Sequence, residues 1–171
     1  MKPFSQDIIF FDTEFSSLDP CEGEILSIGM VKLSGEEFYI ELEYDGEVSE
    51  WVKDNILHTL IAPKVSREEA QKQIKEFVGE GKPHIMAYVN QFDAIYTYKL
   101  FGIDNHPFHW LPIDFASMLF AHGKDPEMLV DLERACKEFG IDHTKYKQHH
   151  ALDDAKVLRK IYLKLADQSS S

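Results

Sequence analysis

The run Ile8-Ile9-Phe10-Phe11-Asp12-Thr13-Glu14-Phe15 constrains this chain more than any other stretch. Four large apolar residues in succession fit a strand covered on both faces, which places them in the interior of a sheet. Side chains alternate along a strand, so Ile8, Phe10, Asp12 and Glu14 share one face while Ile9, Phe11, Thr13 and Phe15 share the other. Two carboxylates therefore stand side by side where the strand leaves the core. At an effective dielectric near 20, charges about 4 Å apart repel by roughly 4 kcal/mol, so stability alone offers no reason for the pair. On these residues two explanations stay open. Asp12 ends the strand as a turn or cap residue with Glu14 in solvent, or the pair meets something positive.

A chain of 171 residues is long enough to bury its own core, and the expected organisation is one domain over residues 1–166 followed by a polar tail at 167–171. Cys21 and Cys136 are the only cysteines and are not spaced as metal ligands; the first residues lack a charged-then-apolar leader. No apolar run approaches the ~20 residues a bilayer span needs, so the expectation is a cytoplasmic protein with no membrane partner. A formal charge of -12 argues against a broad basic face. Any polyanion must be met locally, by metal ions or a few Lys and Arg.

After the acidic pair, residues 16–23 are rich in turn formers. Residues 24–33 read as a second strand, Ser34-Gly35 as a tight turn, and 36–44 as a third, completing an antiparallel meander. A short helix over residues 51–57 is expected in the following connection. Ser66-Arg67-Glu68-Glu69 is a capping box, and Ala70, Ile74, Phe77 and Val78 follow at helical spacing up to Gly79. Residues 84–89 read as a strand, 90–101 as a helix apolar on most sides, Ile113 as part of a fifth strand, and 115–121 as a helical turn. Asp125-Pro126 reads as the start of a helix striped by Leu129, Leu132, Ala135, Cys136 and Phe139, with Gly140 as its stop. The last helix is expected over 151–166. A meander followed by strand and helix alternation implies an α/β domain with a mixed, five-stranded sheet.

In that last helix Asp154 lies on the stripe of Leu158, Ile161 and Leu165, which faces the core, whereas Asp153 lines up with Lys160 and Lys164. Asp153 fits a solvated acid. Asp154 needs a partner for a charge pointed inward. Asp93 occupies the first turn of the 90–101 helix, where an acid is also favoured by the helix dipole. Four carboxylates from separated segments, Asp12, Glu14, Asp93 and Asp154, supply the hard oxygen ligands that Mg²⁺ or Mn²⁺ prefers. Two such ions about 4 Å apart can activate water and stabilise the leaving oxygen in phosphodiester hydrolysis.

FDTEFSSLDP with GEILSIGMVKL, then NQFD, then HHALDDA resemble, in order and separation, the three motifs of the DEDDh 3′-to-5′ exonucleases. The resemblance covers nearly the whole chain, and the spacing from His149 to Asp154 is its most specific part. It implies a ribonuclease H-like fold in which Asp12, Glu14, Asp93 and Asp154 hold two Mg²⁺ or Mn²⁺ ions. His149 is implied as the general base, suited by an unperturbed pKa near 6.5. His150, four residues before Asp154, is the alternative if the helix starts early. Phe15 and Leu18 are similar to family segments that hold the terminal sugar and base. The implied reaction releases nucleoside 5′-monophosphates from the 3′ end of single-stranded RNA or DNA. The Trp51-Val52-Lys53 region resembles small exoribonucleases of the mycobacterial type, which favours RNA. Family members are often dimers, so a homodimer is a further expectation. Asp114 matches an acid common between the last two motifs but outside the metal set, and Asn90 is assigned no role.

The remaining residues carry weaker readings. His106, His109 and His122 have no fourth ligand at zinc spacing, and Trp51, Trp110, Tyr96 and Tyr98 are read as packing residues before stacking platforms. A non-catalytic module on the same fold, binding metal or nucleic acid without turnover, is the competing class.

Overall fold

The run Ile8–Phe15 forms β1, and neighbours pair with it on both sides. One is β2 (Ile25–Lys32), antiparallel, with Asp12 opposite Gly29 and Glu14 opposite Ser27. The other, parallel, is the strand His84–Ala87. These come from a computed structural model that describes residues 4–168; Met1–Pro3, at the segment read as lacking a leader, and Ser169–Ser171 of the expected tail lie outside it. β2 turns at Ser34-Gly35, where Gly35 takes φ +101°, into the antiparallel β3 (Glu37–Leu42). Lys64–Val65 is β4, parallel to the end of β3; His84–Ala87 is then β5, and Ile113–Asp114 is β6, parallel to it. The sheet order is β4-β3-β2-β1-β5-β6.

The expected mixed sheet flanked by helices is present, with six strands in place of five. The extra strand has only two residues, too few for alternation to mark it.

The helices follow their caps. α1 (Glu50–Asn55) starts at Ser49, whose hydroxyl accepts from the Val52 N–H, and α2 (Arg67–Val78) starts at Ser66, which accepts from the Glu69 N–H. α3 is Gln91–Phe101 and α4 Phe115–Ala121, capped by Asp114. The helix expected from Asp125 does not form as one piece. Asp125 accepts from the Glu127 N–H just ahead of a short 3-10 turn at Met128–Val130, the chain extends at Asp131, and the Asp131 carboxylate accepts from the Arg134 N–H to start α5 (Leu132–Glu138). A second capping acid inside the apolar stripe outcompeted helical continuity. α6 (Ala151–Gln168) begins where expected and runs two residues past the expected Ala166.

β1 is covered on both faces. Ile8 and Phe10 pack with Phe115, Leu119, Leu158 and Ile161 from α4 and α6, while Ile9 and Phe11 pack with Ile74, Tyr96 and Leu100 from α2 and α3. Phe10 and Phe11 are fully buried. Each such ring contributes about 1.5–3 kcal/mol, which together offsets the roughly 4 kcal/mol that two adjacent carboxylates at the strand's end could cost.

The start of α6 lies directly on β2. A Cβ at Gly29 would stand 2.2 Å from the carbonyl carbon of Ala151 and 2.2 Å from the backbone nitrogen of Leu152. Only a residue without a side chain lets this helix end reach the sheet beside Asp12. Gly29→Ala is therefore expected to cost about 3 kcal/mol, because backbone must move to admit the methyl group. Urea denaturation checks this, and an unchanged midpoint would contradict it.

Candidate active site

Where β1 emerges from the core, alternation turns Asp12 and Glu14 towards α6, whose first turn brings Asp154 to them. Asp12, Glu14, His149 and Asp154 line one open cavity of about 270 Å³, with Tyr88, Leu129 and Val130 on its walls. Ligand atoms of Glu14, His149 and Asp154 lie within 4.8 Å of one another; among the described residues this is the one such trio of potential metal ligands. Among the described residues, His106, His109 and His122 belong to no group of potential metal ligands. His106 is instead buried, within 3.1 Å of the Thr97 hydroxyl and stacked on Tyr98.

Asp93 sits apart from the other four. It is buried in the first turn of α3, and its Oδ1 accepts from the Thr13 N–H at 2.9 Å and the Thr13 hydroxyl at 2.7 Å. Thr13 lies on the β1 face opposite Asp12 and Glu14, so Asp93 reaches the acidic strand end from the α3 side. It is absent from the cavity wall, yet its charge is felt there.

The electrostatics follow from burial without a counter-charge. Desolvation, then Glu14, Asp154 and Asp93, push the Asp12 carboxyl well above the usual range. Desolvation, then Asp154 and Asp93, do the same to Glu14. Asp93 and Asp154 are each pushed up to about 7 by burial, although Thr13 hydrogen bonds pull Asp93 the other way and the His149 N–H does so for Asp154. Among the described residues, no Lys or Arg lines the cavity.

The two histidines separate clearly. His149 lies on the loop before α6 in the left-handed region, φ +59°, a conformation that costs a residue with a Cβ. Two bonds hold it: its N–H donates to Asp154 Oδ2 at 2.9 Å, and its carbonyl accepts from the Thr59 hydroxyl at 2.9 Å. Its ring meets Trp51 edge-on at 5.0 Å, and burial, then the charge of His58, lowers its pKa. His150 points elsewhere, stacked on Tyr39 at 4.6 Å with Nδ1 3.8 Å from Asp153.

Other expectations fare unevenly. Phe15 stacks on Tyr96 at 4.6 Å and Leu18 is exposed; neither lines the cavity. Tyr96 is core, as read, but Trp51 and Trp110 are 54% and 73% exposed, so packing does not account for them. Asp153 is less solvated than expected, since it accepts from the Lys147 N–H and faces His150 and Lys156. Asp114 caps α4 and accepts from the Asn90 N–H, which keeps it outside the cavity. Thr59 had no sequence signature: it belongs to the connection after α1 and meets His149 only through the fold. Thr13 was visible only as the residue facing away from the acids.

Known proteins share this arrangement at the level of fold. The chain resembles DNA polymerase III subunit epsilon of Rickettsia felis, 26% identical over 92% of this chain and 72% of that protein. The nuclease domain of 3′hExo, a DEDDh family member solved with rAMP, superposes with TM-score 0.70 at 14% identity, covering 94% of this chain and 92% of that one. E. coli exonuclease I, solved with single-stranded DNA, gives TM-score 0.76 at 15% identity, covering 95% of this chain, which spans only 41% of that protein. The profile of the Exonuclease family (RNase_T) matches residues 9–162. That match runs from β1 through α3 into α6, and the chain accordingly belongs to the exonuclease family.

Proposed function

We propose that this protein is a divalent-metal-dependent exonuclease that removes nucleoside 5′-monophosphates from the 3′ end of single-stranded nucleic acid, RNA in preference to DNA. One observation carries the reading: Glu14, His149 and Asp154 converge within 4.8 Å in an open cavity that Asp12 also lines. A non-catalytic module would have no use for a half-buried histidine held in a strained backbone conformation beside buried acids. RNA is favoured by the Trp51 region, whose indole is exposed at the His149 ring. The similarity to a DNA polymerase III epsilon subunit favours a DNA substrate as the second reading.

The residues fit Mg²⁺ or Mn²⁺, two ions by family analogy. Four clustered carboxylates whose proton affinities are raised by burial are oxygen ligands lacking a cation. Asp12, Glu14 and Asp154 would hold the ions, and Asp93 would add the oxygen that Thr13 does not engage. When bound, such ions acidify water and stabilise charge on the leaving oxygen. The chain's own part is proton transfer and alignment. His149, kept neutral by its lowered pKa, accepts the proton of the attacking water as the water oxygen bonds to the terminal phosphorus. The bond from phosphorus to the 3′ oxygen breaks, and that oxygen takes a proton from solvent. Thr59 and Asp154 fix the backbone of His149, so the ring is aligned before substrate arrives.

Matched 5′-labelled RNA and DNA oligonucleotides incubated with Mg²⁺ or Mn²⁺ should each be read on a gel. A ladder shortening from the 3′ end, faster on RNA, is expected; intact oligomers or cleavage of a circular substrate would sink the proposal.

Asp154→Asn should abolish turnover, while Asp153→Asn should leave it nearly unchanged because an amide oxygen still accepts from the Lys147 N–H. Steady-state rates compare them, and equal losses would count against the assignment. His149→Ala should slow the reaction about 10²- to 10⁴-fold with the fold retained, whereas His150→Ala should not.

The raised carboxyls also make a stability prediction. The folded chain holds protons on Asp93 and Asp154 up to pH about 7 that the unfolded chain releases near pH 4, so metal-free stability falls as pH rises through that window. Between pH 5.5 and 8 the metal-free wild type should lose more Tm than Asp154→Asn does. Parallel melting curves would contradict this.

A further inference from the structure

We infer that the stripe of basic residues on α6 and the loop before it is a track for the phosphates of the strand 5′ to the nucleotide being removed. This rests on the nuclease reading and deepens it. Residues 145–164 carry six of the chain's 18 Lys and Arg (Lys145, Lys147, Lys156, Arg159, Lys160 and Lys164) and only two of its 30 acids, Asp153 and Asp154. In a chain of net charge -12, the single strongly basic stretch is the one that also bears His149 and Asp154.

The fold gathers these cations. Lys145, Lys156, Arg159 and Lys160 line a cavity of about 240 Å³ with Tyr146, at the β2–β3 turn, and Glu37 is the one acid on its wall. Lys156 is neutralised, 2.8 Å from Glu37, and Lys145 has an exposed partner in Asp142 at 3.5 Å, a contact of little energy. The other two have no carboxylate at ion-pair distance among the described residues. Arg159 donates twice to the Leu33 carbonyl, at 3.1 and 2.8 Å, and the Lys160 ammonium stands 5.1 Å from the centre of the Tyr146 ring.

The stripe leads away from the catalytic cavity. Asp153, Lys156, Lys160 and Lys164 recur at helical spacing along one face of α6, and Lys160 lies about 9 Å from Asp154 along the axis. A strand whose 3′ end enters at His149 can leave over this face, with its backbone charges meeting Lys160 and Lys145. Recognition of this kind is sequence-independent and salt-dependent.

The test is binding of a 5′-fluorescein 12-mer in EDTA, by anisotropy over a salt series, to wild type, to the double variant Lys145→Gln/Lys160→Gln, and to the charge-keeping Lys145→Arg/Lys160→Arg. The Gln pair should bind more weakly, with the slope of log affinity against log salt shallower by about 1.4, as for two lost single-strand phosphate contacts, while the Arg pair keeps the wild-type slope. Cleavage of a dinucleotide, too short to reach the stripe, should keep its rate in both variants. An unchanged slope in the Gln pair, equal losses in both pairs, or a wild type that fails to bind the 12-mer at low salt would overturn the inference. A wild type that binds but never cuts with Mg²⁺ or Mn²⁺ would instead overturn the nuclease reading and leave the track standing.

Discussion

The contact between α6 and the sheet at Gly29 is the constraint on which the rest depends. Because a Cβ there would lie 2.2 Å from helix backbone, the first turn of α6 can settle only on a glycine, and Gly29 is the β2 partner of Asp12. Asp154 is thereby brought to Asp12 and Glu14, and the loop that precedes the helix is drawn over the strand end with His149 on it. The cluster of acids is not stable in itself. It is imposed by apolar packing on both sides of β1; burial, with repulsion from neighbouring acids added at Asp12 and Glu14, is why all four carboxyls hold protons above the usual carboxylate range. A site under that electrostatic load has its ligands in place before any cation arrives.

Much of this was legible in the chain. The Ile8–Phe11 run announced a strand buried on two faces, and alternation correctly turned Asp12 and Glu14 to one side. The stripe of Leu158, Ile161 and Leu165 gave the facing of Asp154, since a helix of 3.6 residues per turn leaves little choice. The motif spacing pointed to His149 over His150, but what sets the two rings apart is not local: the positive φ of His149, with Thr59 and Asp154 as its restraints. Thr59 is 90 residues from His149, and nothing local marks such a partner. The misread stretch after Asp125 has a local cause: two acids able to cap lie six residues apart, and the second won. That break has a use, since the 3-10 turn sets Leu129 and Val130 on the cavity wall, where a continuous helix would have carried them elsewhere.

Overall charge says little about where a charged partner could sit on this chain. A value of -12 argues against polyanions only if it is spread evenly, and here it is not. The acids that matter are in the cavity, where cations can offset them, and the uncompensated Arg159 and Lys160 lie one to two turns of helix further on. Short-range fields decide binding at physiological ionic strength, where charges more than about 8 Å apart are largely screened.

The central claim, that folding joins distant acids into a cation-holding pocket, is tested most directly by anomalous diffraction from a crystal soaked in MnCl₂. The account predicts manganese peaks between Asp12, Glu14 and Asp154, at coordination distances of about 2.1–2.3 Å from their oxygens. Well-ordered carboxylates with no manganese between them, or manganese bound only at other acids of the surface, would contradict it.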